Sequence, residues 1–60
     1  MTKAWEMVKA GEIEWQWRRW VSVADGREFH WSDIETRRLA LIECAEHVNE
    51  LHRSASKRLA

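Results

Sequence analysis

The sequence has no proline, only two glycines and a single cysteine, and each of these shortages excludes something. Without proline, and with glycines only at Gly11 and Gly26, no segment is typical of a linker, so we expect residues 1–60 to form one small domain. The lone Cys44 cannot form an intramolecular disulfide, and nothing argues for an oxidising compartment. A domain this small is marginally stable without such a cross-link, so its core must come from a few large side chains.

Net charge and long apolar runs are absent as well. Ten basic and ten acidic residues cancel, which argues against an autonomous nucleic-acid-binding protein, because such proteins carry an excess of cations. No apolar run approaches the ~20 residues of a membrane-spanning helix, and no signal peptide is evident. The composition therefore predicts a soluble, intracellular protein that has no membrane partner.

Tryptophan is what the sequence has in abundance, with five in 60 residues. Most of them lie in alternating apolar and polar runs that predict strands over residues 12–23, with a bend near Arg18-Arg19, and over residues 27–31. Asp25-Gly26 joins the two strands. A two-residue loop there leaves neither face of the hairpin cleanly apolar. A three-residue loop with Gly26 at a bulge position instead gives one cleanly apolar face. We therefore predict the bulged register, in which one face carries Trp15, Trp17, Val21, Val23, Phe29 and Trp31, and the other carries Trp20, Ser22, Glu28 and His30.

Helices are predicted on both sides of this hairpin. Residues 2–10 form a short amphipathic segment that ends before Gly11. A long helix over residues 33–57 begins after Ser32, which fits a capping box with Glu35; a weaker alternative frame uses His30 with Asp33. The apolar stripe of the long helix comprises Ile34, Leu41, Ala45, Val48, His52, Ala55 and Leu59. The expected fold is therefore α+β, α-β-β-α, a two-stranded antiparallel hairpin packed by a short N-terminal and a long C-terminal helix.

This element order resembles that of the phage head–tail joining protein W family of small neck proteins. The residues that carry the resemblance are Asp25-Gly26-Arg27, Phe29, Asp33-Ile34, Leu41 and the basic stretch from Arg53 to Arg58. It covers residues 21–51 best, since a tryptophan-rich first strand is not typical of that family. The resemblance implies an α-β-β-α fold without catalytic residues, docking on a portal ring in several copies, and a location in the virion or the host cytoplasm.

Metal and catalytic chemistry find little support in the sequence. Cys44 and His47 are three residues apart on the predicted helix, a spacing that can chelate a metal ion, but two ligands do not make a site. His52 points about 140° away from His47 around the helix. A nucleophile pair of Cys44 and His47 lacks a third group that would orient the base. We expect no enzymatic activity, no metal and no cofactor.

Two surfaces are candidates for a partner. On the hairpin, Trp20 faces away from the predicted core beside Arg18 and Arg19, as interface hot spots do. The same trio is suited to stacking bases and neutralising phosphates, and a third possibility is that Trp5 of the N-terminal helix covers Trp20. At the end of the long helix, the apolar stripe continues past the hairpin, which also allows self-association. The residues of this second surface are His52, Arg53, Lys57, Arg58 and Leu59; favourable placement of cations at a helix C-terminus also accounts for its basic residues.

The sequence therefore predicts a small non-catalytic protein-binding module, with a phage-type head–tail joining component as the leading interpretation. One alternative is a phage or mobile-element inhibitor that binds a host defence or transcription protein. Another is a small DNA-binding protein that uses the hairpin arginines, Trp20 and the basic tail. The helix end has the stronger claim as the partner site, because its apolar stripe and its cations both extend beyond the hairpin.

Overall fold

The structure is a computed structural model that describes the backbone of residues 3–59 and the side chains of residues 3–56. Five elements follow one another: α1 (Ala4–Lys9), β1 (Ile13–Gln16), β2 (Arg19–Ser22), β3 (Glu28–His30) and α2 (Ile34–Leu59). The strands form one antiparallel sheet in the order β1-β2-β3; α2 packs on β2 and β3, and α1 packs on β1 and α2. The α+β class is confirmed, but the sheet has three strands instead of two. The predicted start of the first helix, at residue 2, lies outside the described residues.

The additional strand arises because the predicted first strand turns back on itself at Trp17-Arg18. Gln16 pairs with Arg19 across this two-residue loop. Arg18 has a φ of 55°, a left-handed conformation that costs a residue other than glycine roughly 1–2 kcal/mol. The bend expected near Arg18-Arg19 is thus a complete chain reversal, and it leaves the Trp17 ring outside the sheet, 81% exposed.

The loop between β2 and β3 is one residue longer than predicted, so the register differs by one. The Ser22 N–H donates to the Arg27 carbonyl at 2.9 Å, which leaves residues 23–26 as a four-residue loop. Phe29 therefore pairs with Trp20 and not with Val21. The predicted bulged register is wrong: Trp20 is buried, Phe29 and Trp31 are half-buried, and Trp15, Trp17 and Val23 are exposed.

The contact between Trp20 and α2 explains why this register is adopted. The ring of Trp20 is 4% exposed, and its indole N–H donates to the Arg37 carbonyl of α2 at 3.0 Å. Burial of so large a ring with its N–H satisfied contributes more than a regular alternation along the hairpin. Val21 is buried too, but it lies on the opposite face of the sheet, where Glu14 and Glu28 are its cross-strand neighbours.

The core lies between the sheet and the two helices, and the buried side of α2 is shifted around the helix from the predicted stripe towards Ala40 and Cys44. Cys44, which is not a member of the predicted stripe, is fully buried. Ala45 and Val48 are buried as expected, whereas Ile34 is 76% exposed. The helix is rotated because it packs on Trp20, which the predicted register placed elsewhere. The buried cluster comprises Met7, Ile13, Trp20, Ala40, Cys44, Ala45 and Val48.

The short helix α1 ends as predicted, at a glycine that adopts a left-handed conformation. Gly11 has a φ of 82°, and its N–H donates to the Val8 carbonyl at 3.2 Å. The Glu12 N–H donates to the Met7 carbonyl at 2.9 Å, so the pair forms a Schellman motif. The chain is thereby directed into β1 while Met7 stays in the core.

The N-terminus of α2 is capped by Asp33 and not by Ser32. The Asp33 Oδ1 atom accepts the Thr36 N–H at 2.9 Å, and the Thr36 Oγ1 atom accepts the Asp33 N–H at 3.2 Å. These reciprocal bonds form a capping box one residue later than predicted. The backbone N–H of Thr36 is the main group that lowers the pKa of the Asp33 carboxyl from its ordinary value.

Removal of this cap has an expected cost. Asp33→Ala leaves the first N–H groups of α2 without an acceptor and should destabilise the domain by about 0.5–2 kcal/mol. The matched Ser32→Ala variant should change the free energy of unfolding by less than about 0.5 kcal/mol. Urea midpoints of both variants test this, and a larger loss for Ser32→Ala would restore the cap at Ser32.

Within residues 3–59, no helix combines the length and the apolar character needed to cross a membrane.

Candidate docking surface

Three tryptophans from three different elements line one groove of the molecule. Trp15 of β1 stacks on Trp20 of β2, with ring centroids 6.1 Å apart and ring planes at 28°. Trp5 contributes a side from α1, and α2 contributes the side that carries two arginines. The groove encloses about 430 Å³. We call it the aromatic groove; its residues are Trp5, Trp15, Trp20, Arg37, Arg38 and Leu41.

The rings of the aromatic groove differ in how they are held. Trp20 is buried and hydrogen-bonded to α2, so it is fixed. Trp15 leans on Trp20 yet remains 61% exposed, and Trp5 is 56% exposed. Large aromatic rings held in water by a rigid support contribute little to folding, and clustered exposed rings of this kind are typical of protein interfaces.

A third exposed tryptophan lies at the β1–β2 loop. The Arg18 guanidinium carbon is 5.4 Å from the centroid of the Trp17 ring, a cation–π contact. Trp17 does not line the aromatic groove, but it follows Trp15 along the chain by two residues. The exposed rings thus extend from the groove to the tip of the first hairpin.

The two arginines of the aromatic groove, Arg37 and Arg38, lie in the first two turns of α2. Arg37 lies over the Trp31 ring, with its guanidinium carbon 5.8 Å from the ring centroid. Among residues 3–56, neither Arg37 nor Arg38 has a carboxylate within 4.0 Å. Both side chains are exposed. The groove therefore combines an apolar lining with two cations whose charge the described part of the chain leaves uncompensated.

The structure separates the three hairpin residues that the sequence had grouped. Trp20 lies in the core, so the expectation that it faces away from the core is wrong. Arg19 is half-buried; it donates to Gln16 Oε1 at 3.0 Å and pairs with Glu28 at 3.3 Å. Only Arg18 is exposed, at the loop. Trp5, one of the alternatives offered as a cover for Trp20, lines the aromatic groove together with it; Trp20 is also hydrogen-bonded to α2 and stacked on by Trp15.

The end of α2 contributes partly to the fold and partly to the surface. His52 Nε2 lies 2.7 Å from Glu12 Oε1, so the histidine of the predicted stripe ties α2 to the segment after α1. Arg53 pairs with Glu50 on its own helix at 3.1 Å. Residues 53–56 are exposed, and the side chains of Lys57, Arg58 and Leu59 lie outside those that the structure describes.

A second polar cluster joins the β2–β3 loop to α2. His47 Nε2 lies 2.6 Å from Asp25 Oδ2, and the Arg27 guanidinium donates to His47 Nδ1 at 3.4 Å. Because arginine only donates, Nδ1 must accept and Nε2 must carry the proton that Asp25 accepts. The hydrogen bond from His47 is the main cause that lowers the pKa of Asp25 to about 2.

This cluster is a structural tie and not a nucleophile–base pair. Both ring nitrogens of His47 are engaged, by Asp25 and by Arg27, so neither is directed at Cys44. Burial raises the pKa of the Cys44 thiol to about 11, which suppresses the nucleophilic thiolate. The residues that the structure describes hold no group of three or more potential metal ligands.

The Asp25–His47 tie predicts a dependence of stability on acid pH. Because the folded-state pKa of Asp25 is lowered, its contribution is present above about pH 4 and is lost as the pH falls towards about 2. The urea midpoint of the wild type should therefore fall over this range more steeply than that of Asp25→Asn. Equal dependence of the urea midpoint on pH in the two proteins would contradict the prediction. Asp33, whose pKa is also lowered, is present in both proteins and contributes the same pH dependence to each.

Comparison of this chain with protein-family models, with curated proteins and with solved structures found no match. The aromatic groove is therefore interpreted from its own geometry. The sequence does not predict the groove because its apolar pattern places Trp15 on the core face and offers Trp5 only as a cover for Trp20, and it gives Arg37 and Arg38 no role. The available signal was the number of tryptophans, since five such rings exceed what a core of this size encloses.

Proposed function

We propose that this chain is a small non-catalytic module that binds another protein through the aromatic groove. The observation that carries the proposal is a pair of indole rings, Trp5 and Trp15, each more than half exposed beside a cavity of about 430 Å³. Burial of these rings by a partner releases water from a large apolar area at little entropic cost, because Trp20 already supports Trp15. Tryptophan and arginine are the residues most often found at the energetic centre of such interfaces.

The test is capture by immobilised protein from extract of the cells that make it, with matched variants. Trp15→Ala removes the exposed ring and should weaken the captured complex about thirtyfold, as loss of a hot spot does. Leu39→Ala is the control, because Leu39 is 57% exposed on the side of α2 away from the sheet and lies outside the groove. Equal capture by the wild type, Trp15→Ala and Leu39→Ala, or capture of nothing beyond what a bare matrix retains, would contradict the proposal.

The same assay decides between the aromatic groove and the helix end. A chain that ends at Arg53 keeps the His52–Glu12 pair and loses only exposed positions of α2 among those described. It should fold cooperatively and retain its partner. If it folds but loses the partner, the site lies in the part of the predicted basic helix end that the truncation removes, which includes Lys57, Arg58 and Leu59.

For the partner we propose a portal ring, by analogy with the head–tail joining proteins that the sequence resembles. The order of a short helix, a hairpin that turns at Asp25-Gly26-Arg27 and a long helix supports this, whereas the β1–β2 hairpin departs from the α-β-β-α pattern. A joining protein should be monomeric when free and should bind a portal ring in several copies. A one-to-one complex with a soluble host defence or transcription protein would instead indicate an inhibitor.

A further inference from the structure

We infer that the aromatic groove accepts a peptide segment in which an apolar side chain lies next to one or two carboxylates. The inference rests on the proposed function and adds to it the chemistry of the partner. It follows from three features of the groove: its apolar lining, the sign of the charge at its α2 side, and the rigidity with which the two are held together.

The apolar part of the ligand is set by the rings. Trp5, Trp15 and Leu41 present aromatic and aliphatic carbon to the cavity, and about 430 Å³ is enough for two or three side chains and not for a folded element. An aliphatic or aromatic side chain that enters between the rings replaces water on several faces at once. Two or three consecutive residues of a partner therefore suffice to fill the groove.

The charged part of the ligand is set by the arginines. Among the described residues, the groove lining carries two cations and no carboxylate. Arg37 and Arg38 have no ion-pair partner within residues 3–56, so a carboxylate from outside would not compete with another carboxylate, although the Arg37 guanidinium also lies over the Trp31 ring. A guanidinium binds a carboxylate through two parallel hydrogen bonds, which fixes the direction of the segment as well as its charge.

One contact fixes the position of the arginine side of the aromatic groove relative to its tryptophan side. The Trp20 indole donates to the carbonyl of Arg37 itself at 3.0 Å, and Trp15 stacks on Trp20. The backbone that carries the arginines is thus fixed relative to the exposed ring. A preorganised site of this kind distinguishes ligands by the spacing between their apolar and acidic groups, because the protein loses little conformational entropy on binding.

Single-stranded nucleic acid is the rival occupant, since exposed indoles stack on bases and arginines contact phosphates. A strand carries a negative charge on every nucleotide and needs a track of cations, whereas the aromatic groove offers two in a chain of zero net charge. A protein segment with one or two acidic side chains beside an apolar one matches the two arginines and the exposed rings of the aromatic groove better than a nucleic-acid strand does.

The test selects ligands from a library of random twelve-residue peptides displayed on phage, with the full chain immobilised. Selected peptides should share an aromatic or large aliphatic residue beside Asp or Glu. Their binding, measured by fluorescence anisotropy, should weaken about five- to tenfold in the double variant Arg37→Gln/Arg38→Gln. The matched control Lys3→Gln/Lys9→Gln removes the same charge from exposed positions outside the groove and should bind as the wild type does.

Four outcomes would overturn the inference. Peptides that need Trp15 but show no acidic preference, or equal losses in both double variants, would leave the docking function intact and remove its acidic specificity. Oligodeoxythymidine of the same length binding more tightly than any selected peptide would assign the groove to nucleic acid. Selection of no peptide that depends on Trp15 would contradict the docking function itself.

Discussion

Trp20→Ala should remove most or all of the stability of this domain at room temperature. The ring is 4% exposed, lies in the buried cluster and donates to the Arg37 carbonyl. Truncation of a buried aromatic ring to alanine costs about 3–5 kcal/mol, while a chain of this length has a total stability of roughly 3–9 kcal/mol. Far-UV circular dichroism and a urea titration measure the loss.

Two further variants separate the causes of this effect. Trp20→Phe keeps most of the apolar area but leaves the Arg37 carbonyl without the indole donor, so it should cost less than the alanine variant. Trp17→Ala removes a ring that is 81% exposed and should cost less than about 0.5 kcal/mol. A stable Trp20→Ala together with an unfolded Trp17→Ala would support the bulged register and contradict the observed pairing of Trp20 with Phe29.

Met7→Ala should destabilise the domain by about 2–5 kcal/mol and should also disrupt the aromatic groove. Met7 is the fully buried residue of α1 and joins that helix to the core. A helix of six residues does not hold together without such a contact. Trp5 belongs to the same helix, so detachment of α1 removes one side of the groove.

The matched variant for this prediction is Trp5→Ala. It removes the ring from the groove while Met7 stays in the core, so binding should weaken with little loss of stability. Hydrogen exchange of the α1 amides distinguishes the two variants: protection should fall in Met7→Ala and persist in Trp5→Ala. Unchanged protection in Met7→Ala would show that α1 is held by other contacts.

Local chain properties fixed the classes and the approximate limits of the elements before any tertiary information entered. Gly11 ends α1 because a left-handed residue is needed there, and the turn residues Asp25-Gly26 mark the second hairpin. The periodicity after residue 33 predicted a long helix, and the structure has one from Ile34 to Leu59. The extra strand escaped prediction because Arg18 carries no turn signal and adopts its left-handed φ against its own preference.

The sequence by itself determined the α+β class, the order of the helices and hairpin segment, and an apolar surplus concentrated in tryptophan. Tertiary structure alone decided which tryptophan is buried. A shift of one residue in the register exchanges the two faces of a strand, and local patterning favoured the alternative in which Trp17 and Val21 share the core. The hydrogen bond from Trp20 to a carbonyl seventeen residues away selected the other. The same contact sets the rotation of α2, and with it the position of Arg37 and Arg38 beside the exposed rings. A site assembled from three elements in this way depends on long-range packing, which no local pattern of residues records.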